Sequence, residues 1–461
     1  MIHEFYKRLA MGEVVNSLFI VATKPLTLIN SLVVIGLLSL HDFGVYRLVM
    51  SFQALISGFS INFLDNLVLN EMNVHHGEKR AFKAKRIFAE YVVLKVIIGA
   101  ILTVGVFFLA DFIGRYYDSM EGIGSWIRII SFLFLIENIH SLAVTFLQYR
   151  LNFFLSSFYL FAYEGVKLIF ILALYFFGNF GISEVLILTV FSHLIVFPFV
   201  LIPSFRGYFE KSAGDSKSVS SGFGSPFVAL IRQCGFWTVA RYYLLNFSQN
   251  IRPWVVKWLL GTEAVAIFSV ALSFLGSLKS FISFNSLKVY LPRESGKRDR
   301  MREIVSRGGR YLTYVFFALF VFGIIAVPIV TTIFFPKYWS SMPLFFIMAA
   351  SMVFFGVYTI SGQILYSLRR QKDLFFVAIA SAVSMSIFSI ILIPVFGLYG
   401  VALEFFLTQF VALAASQFFL FRYNSELKFQ WKTMFMFDEY DRDLLQKGIK
   451  FFRMKVLRMS S

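Results

Sequence analysis

Arg241 and Arg252 stand eleven residues apart in one apolar stretch, with Ser248 between them, and that spacing puts all three on one helical face. Charged groups in hydrocarbon are costly and face a cavity or a partner. A guanidinium also offers a planar fork of donors suited to phosphate oxygens. The face therefore reads as a cationic lining for an anionic cargo, with Arg241 near mid-depth as its leading member and Glu137 or Glu164 as carboxylates that could instead neutralise it. Arg252 precedes Pro253, which can kink the helix and rotate its face. Arg252 and Lys257 also lie near the end of the stretch, where long side chains snorkel to the interface. Lys24, followed by Pro25, is the intramembrane cation of the first apolar stretch and shares a seven-residue stripe with Ser17 and Ser31.

The acids suggest a second chemistry. Glu137 and His140 are three residues apart with Ser141 adjacent, so they face together. A carboxylate beside an imidazole at mid-membrane can carry protons or bind a coupling cation. Glu164 and Lys167 are also three apart and can pair within their helix, leaving Lys167 or Arg241 as the neutralising partner of Glu164. Asp65 shares a seven-residue stripe with Ser51 and Gly58, where small residues read as helix–helix contacts. It either joins the coupling set or ends a helix. Glu404, one turn from Thr408, has no partner legible in the sequence. Glu137, His140, Asp65 and Glu164 are thus the candidates for coupling to an Na+ or H+ gradient. No cofactor is expected. Cys234 is the lone cysteine, and His75 and His76 in a basic loop read as solvated rather than metal-bound.

These residues sit on a ladder of apolar segments. Hydrophobic residues make up 58% of the 461 positions, too many for a water-soluble surface. About twelve stretches approach the roughly 20 residues that span a bilayer as helix. They fall near 14–38, 44–70, 88–112, 125–147, 154–177, 183–203, 228–258, 262–285, 311–335, 340–366, 373–396 and 398–421. The basic residues cluster on alternate connections: Lys7 and Arg8, Lys79 to Arg86, Arg150, Arg206 to Lys217, Lys288 to Arg310, Arg369 to Lys372, and the tail. The other connections and adjoining span ends hold little beyond Arg47, Arg115, Arg128 and Lys337. Basic loops stay cytoplasmic, so both termini are expected there. The net charge of +17 is then a topology signal and calls for anionic headgroups rather than nucleic acid.

The expected organisation is all-α. Residues 1–203 form an N-terminal six-helix bundle, and 204–226 a Ser/Gly-rich cytoplasmic linker. A C-terminal six-helix bundle follows at 227–421, then a basic amphipathic tail at 422–461 that lies on the cytoplasmic leaflet or docks a partner. The bundles echo each other. Leu38 to Phe52 aligns without gaps on Leu260 to Phe274, and the Phe177-Gly-Asn-Phe-Gly181 turn matches Phe396-Gly-Leu-Tyr-Gly400. Arg150 and Arg369 occupy equivalent places. With an even number of spans in each half, the repeat is parallel, with a cavity expected between bundles. The short first segment lacks the form of a cleavable signal. Phosphate-loop, His-Glu-x-x-His and nucleophile-elbow motifs are missing, and the short extracytoplasmic loops leave no room for a catalytic domain.

The Phe43-Gly44-Val45-Tyr46 turn, the run from Trp258 to Ala271, Phe334-Phe-Pro-Lys-Tyr-Trp339 and the Gly397-Leu-Tyr-Gly400 turn together carry a resemblance. They resemble the polysaccharide-exporter branch of the multidrug/oligosaccharidyl-lipid/polysaccharide (MOP) flippase superfamily, over about residues 14–421. Ala266-Ile-Phe268 departs from that pattern, where Gly and Tyr are more usual. The resemblance implies two V-shaped bundles in a bacterial inner membrane. It also implies that an undecaprenyl-pyrophosphate-linked oligosaccharide, such as an O-antigen unit of lipopolysaccharide, is flipped from inner to outer leaflet. Other polysaccharide-assembly membrane proteins would be candidate partners. The alternatives are a drug/cation antiporter of the same superfamily and a membrane glycan polymerase or ligase.

Overall fold

The computed structural model describes residues 2–77, 81–117, 122–150, 152–178, 180–210, 235–282, 302, 304–427 and 429. Most of the linker and nearly all of the tail lie outside these residues. Every regular element among the described residues is helical. The N-terminal half contains α1 (Ile2–Leu37), α2 (Leu40–Ser57), α3 (Asp65–Gly77), α4 (Ala81–Tyr117), α5 (Ile123–Tyr149), α6 (Phe153–Phe177) and α7 (Ile182–Glu210). The C-terminal half contains α8 (Phe236–Leu260), α9 (Thr262–Ser280), α10 (Gly309–Phe334), α11 (Met342–Ala349), α12 (Met352–Ser367), α13 (Gln371–Phe396) and α14 (Leu398–Tyr423).

Eight of these helices are long and apolar enough to cross a membrane, and two bent pairs raise the number to ten. In the first pair, α2 and α3 meet at 53° across Ile61, whose φ of 53° is costly for a β-branched residue. The second pair joins Pro336–Ala349 to Met352–Ser367 at 49°. Broken backbone at membrane depth is tolerated where protein buries it or it lines a cavity. α1 adds the shorter apolar stretch Val21–Leu37. α8 is helical throughout, including Pro253, but Arg241, Asn246, Asn250, Arg252 and Lys257 dilute its apolar character. Eight to ten spans are therefore present by length and composition, where the sequence suggests about twelve. The chain is a multi-pass membrane protein. His75 belongs to helix α3 rather than a loop, with Nε2 4.0 Å from Glu71 one turn earlier.

The aligned segments Leu38–Phe52 and Leu260–Phe274 become the starts of α2 and α9, and these two helices pack against each other across the halves. A Cβ on Gly44 would lie 2.3 Å from the Thr262 carbonyl oxygen, so only glycine permits this crossing. Lys337 reinforces it by donating to the Gly36 and Leu38 carbonyls at 2.8 and 2.5 Å. Tyr338 meets Phe43 edge to face at 5.9 Å. Together these contacts seal the halves at the end opposite the basic loops. Nearer the basic end, Tyr242 and Tyr243 of α8 pack on Phe63 and Phe59, and Asn246 donates to the Leu55 carbonyl at 3.1 Å.

Gly44→Ala should wedge this seal, because the obstructing atom is backbone rather than a flexible side-chain tip. In a chain with Cys234 replaced by serine, a cysteine at Ser273 is expected to become accessible to a membrane-impermeant thiol reagent from the sealed end. Unchanged labelling would show that α2 and α9 absorb the methyl group without parting.

Candidate functional site

Within the N-terminal half, where it meets α9, lies a polar chamber of about 100 Å³, lined by residues of α1, α2 and α6 together with Ser273 of α9. Thr27, Asn30 and Ser31 supply one wall, Arg47 a second, and Glu164 with Lys167 a third. Helical spacing explains the set: 27 and 31 are one turn apart on α1, while 164 and 167 are one turn apart on α6. Asn30 donates to Glu164 Oε2 at 2.6 Å and to the Glu164 carbonyl at 2.8 Å. Arg47 Nε is buried without a hydrogen-bond partner, as is Asn30 Oδ1. Lys167 lies over the Tyr163 ring at 5.8 Å. No ion pair within 4.0 Å joins Lys167 to Glu164 among the described residues. Two cations thus face one carboxylate, and the chamber carries a net positive charge in a setting where an isolated charge is expensive.

Lys24 sits on the same α1 stripe as Thr27 and Ser31, half-buried and without an ion pair among the described residues. It does not line the chamber itself, which begins one turn further along α1 at Thr27. Arg47 and Lys167 are the members that sequence reasoning missed. Arg47 reads from the sequence as a span-end cation, although it follows the start of α2 by two helical turns. Lys167 reads from the sequence only as a partner of Glu164; the two do interact electrostatically, but the hydrogen-bond donor to Glu164 is Asn30.

The face of α8 is oriented differently from expectation. Arg241 and Arg252 do share a stripe, but it points into the C-terminal half instead of between the halves. Tyr242, Tyr243 and Asn246 occupy the α2 interface, leaving Arg241 to turn away. Arg241 lines a small cavity of about 30 Å³ with Tyr358 and Gly362 of α12, Leu374, Val377 and Ser381 of α13, and Ser416 of α14. It is far from Glu137 and Glu164 in partnership, since those carboxylates bond to residues of their own half. Arg252 is buried, donating through Nε and Nη2 to the two Glu404 oxygens at 3.0 and 3.2 Å. Thr408 adds a 3.0 Å hydrogen bond to Glu404, and Phe405 lies 5.1 Å beneath the guanidinium. Arg252 therefore neither snorkels nor lines the chamber, and Glu404 gains the partner that its sequence neighbourhood does not reveal. Ser248 donates to the Leu244 carbonyl within α8. Lys257 sits half-buried in the last turn of α8, where a cation complements the helix dipole.

The coupling candidates also separate. Asp65 accepts from Lys95 Nζ, Tyr91 Oη and Ser141 Oγ, each at 2.6 Å. Asp65 is thus paired with a buried cation, and Ser141 bonds to this network. Glu137 accepts from Gln53 Nε2 at 2.9 Å and Ser57 Oγ at 3.2 Å, not from His140. His140 instead stacks on Tyr159.

The sequence matches the family described as polysaccharide biosynthesis protein over residues 33–343. A comparison with curated proteins found no match. Among solved structures, the lipid II flippase MurJ in an inward closed conformation superposes with a TM-score of 0.72 at 14% identity, covering 91% of this chain and 89% of that one. An inward-facing multidrug resistance MATE family transporter of the MOP superfamily gives 0.70 at 12% identity, covering 90% and 98%. A MOP superfamily transporter from Pyrococcus furiosus, described by the reverse polarity of its binding pocket, gives 0.59 at 13% identity, covering 91% and 94%. The chain belongs to the polysaccharide biosynthesis protein family and has the MOP superfamily fold.

Proposed function

We propose that the protein is a flippase in a bacterial cytoplasmic membrane. Its cargo is an undecaprenyl-pyrophosphate-linked oligosaccharide, an O-antigen or other polysaccharide repeat unit, moved from inner to outer leaflet. The carrying observation is the net-cationic chamber of the N-terminal half, closed on one side by Ser273 of α9, with the partnerless Arg47 Nε and Lys167 in its lining. An anion entering there meets a guanidinium fork and an ammonium in a low-dielectric site, the setting in which charge-assisted hydrogen bonds are strongest. The chamber holds several waters at most, far less than an oligosaccharide. It suits the pyrophosphate or an acidic sugar, while the remaining sugars require the halves to part and the polyprenyl tail stays in the bilayer.

Alternating access follows from the seal. With the end expected to be extracytoplasmic closed by Gly44, Lys337 and Tyr338, cargo enters past Lys24 from the basic, cytoplasmic end. Breaking the α2–α9 crossing then opens the other side. The fold is shared by a lipid II flippase and a multidrug transporter, so fold alone leaves the cargo open. Family membership and the sign of the chamber's charge favour an anionic glycan lipid over a cationic drug.

Proteoliposomes provide the test. Purified protein is expected to expose lipid-linked oligosaccharide from the inner leaflet to an impermeant glycan-modifying enzyme, and to leave a cationic dye where it was. Movement of the dye without the glycan lipid would transfer the reading to the drug/cation antiporter. Formation of glycosidic bonds by the protein alone would instead indicate a polymerase or ligase.

A further inference from the structure

The small cavity of the C-terminal half is lined by hydrogen-bond donors and by no carboxylate. Arg241 reaches it from the second turn of α8, Tyr358 and Gly362 from one face of α12, and Ser381 from α13. Ser416 of α14 completes the polar lining, with its own hydroxyl donating to the Leu413 carbonyl at 2.8 Å. The Arg241 guanidinium makes no hydrogen bond or ion pair to another described residue, and neither the Tyr358 nor the Ser381 hydroxyl makes a hydrogen bond. Tyr358 lies within electrostatic reach of the guanidinium. Three unused donors from three helices therefore converge on one space.

No acid of this half supplies the missing charge. Among the described residues these acids are Glu263, Asp373, Glu404 and Glu426. Asp373, next to the cavity wall, accepts from Arg370 Nε at 2.7 Å, and Glu404 is held by Arg252. Glu263 lies in the first turn of α9 at the sealed end, and Glu426 follows α14, 4.0 Å from Arg302. A guanidinium inside a membrane bundle without a counter-charge is expensive. Water can satisfy its N–H groups but leaves the charge uncompensated. The approach is cationic as well, because Arg370 and Lys372 stand at the basic end of α13. Size then narrows the ligand. A space of about 30 Å³ admits one or two waters or a monatomic anion, and excludes a phosphate with its four oxygens.

We propose that this cavity is a chloride site, in which the Arg241 guanidinium and the Tyr358 and Ser381 hydroxyls hold one monatomic anion. The two arginines of the α8 stripe then solve the same problem by different means. Arg252 has a side-chain carboxylate, whereas Arg241 recruits its counter-charge from solution. The ion reaches the site from the basic end and ties α8 to α12 and α13. Binding to the folded state alone stabilises the C-terminal half in proportion to chloride occupancy. The site is separate from the chamber of the N-terminal half, and its assignment does not depend on the identity of the cargo.

The test uses the full-length protein in nanodiscs, with chloride replacing gluconate at constant ionic strength. Thermal unfolding and equilibrium dialysis of radiolabelled chloride are the two readouts. The wild type is expected to gain thermal stability saturably with chloride. Bromide should substitute for it, whereas sulfate and inorganic pyrophosphate should neither substitute nor displace the label. Arg241→Met should lower chloride affinity by about tenfold or more, the loss of one charge-assisted contact, and abolish the thermal response. Gly362→Val is the second variant. A Cβ at this position meets open space, so the larger side chain takes up cavity volume while the guanidinium stays. It too should weaken chloride binding, and it carries the comparison if Arg241→Met does not fold. Equal chloride responses in the wild type and both variants overturn the proposal, as does a wild type indifferent to chloride. Sulfate acting as well as chloride would reduce the effect to general salt, and displacement of the label by pyrophosphate would move the anion to a larger site. Either result also overturns it.

Discussion

Arg252→Met should destabilise the protein by about 3–5 kcal/mol, because it leaves the Glu404 carboxylate charged and unpaired inside the C-terminal half. Glu404 is fully buried, and among the described residues the guanidinium supplies two of its side-chain hydrogen bonds and Thr408 a third. The energetic asymmetry is the informative part. Removing one partner of a buried pair exposes the whole desolvation cost, whereas removing both with apolar groups of similar volume is often neutral. Arg252→Met/Glu404→Leu is therefore expected to recover most of the loss. Thermal unfolding of the two single variants and the double variant in detergent checks this. A double variant as unstable as Arg252→Met would mean that the pair acts through packing on Phe405 rather than through charge.

The second large effect falls on transport. Arg47→Ala or Lys167→Ala removes one of the two chamber cations. A hydrogen bond to a charged group contributes about 1.5–3 kcal/mol. Export is therefore expected to drop by about 10- to 100-fold at normal protein abundance. Arg47→Lys keeps the charge and loses the fork, so part of the activity should return. Arg241→Ala, the variant that the sequence alone singles out, should leave more export than Arg47→Ala. Its side chain faces the small cavity among α12, α13 and α14 rather than the chamber. Equal losses from Arg241→Ala and Arg47→Ala would argue that the C-terminal cavity also meets the cargo.

The ladder of helices is legible because span length is set by bilayer thickness, which the apolar runs record directly. The Leu38–Phe52 and Leu260–Phe274 alignment marks equivalent places in the two halves, but that these helices cross at Gly44 and Thr262 is seen only in the structure. Site assignment depends on which way each helix faces, and one sequence carries only helical phase. Arg241 and Arg252 share a face as their spacing requires. The direction of that face is decided by Asn246 bonding to α2 and by Tyr242 and Tyr243 packing on Phe63 and Phe59 in the bend after it, contacts between residues far apart in the chain. Glu404 and Arg252 are separated by 152 positions, and Asp65 and Lys95 by 30, so neither pair is visible to short-range spacing rules. Glu164 keeps Lys167, one turn away in its own helix, within electrostatic reach, and Asn30 from α1 adds the hydrogen bond that the sequence does not reveal.

The most direct measurement is the sidedness of undecaprenyl-pyrophosphate-linked glycan in cells, read with a membrane-impermeant glycan-modifying enzyme. It compares cells with the gene, without it, and with Arg47→Ala, in a strain cleared of redundant flippases. Complete lipid-linked glycan that accumulates in the protected, cytoplasm-facing pool without the gene and with Arg47→Ala is the predicted result. Outward-facing glycan at normal levels in the deletion strain would contradict the flippase account.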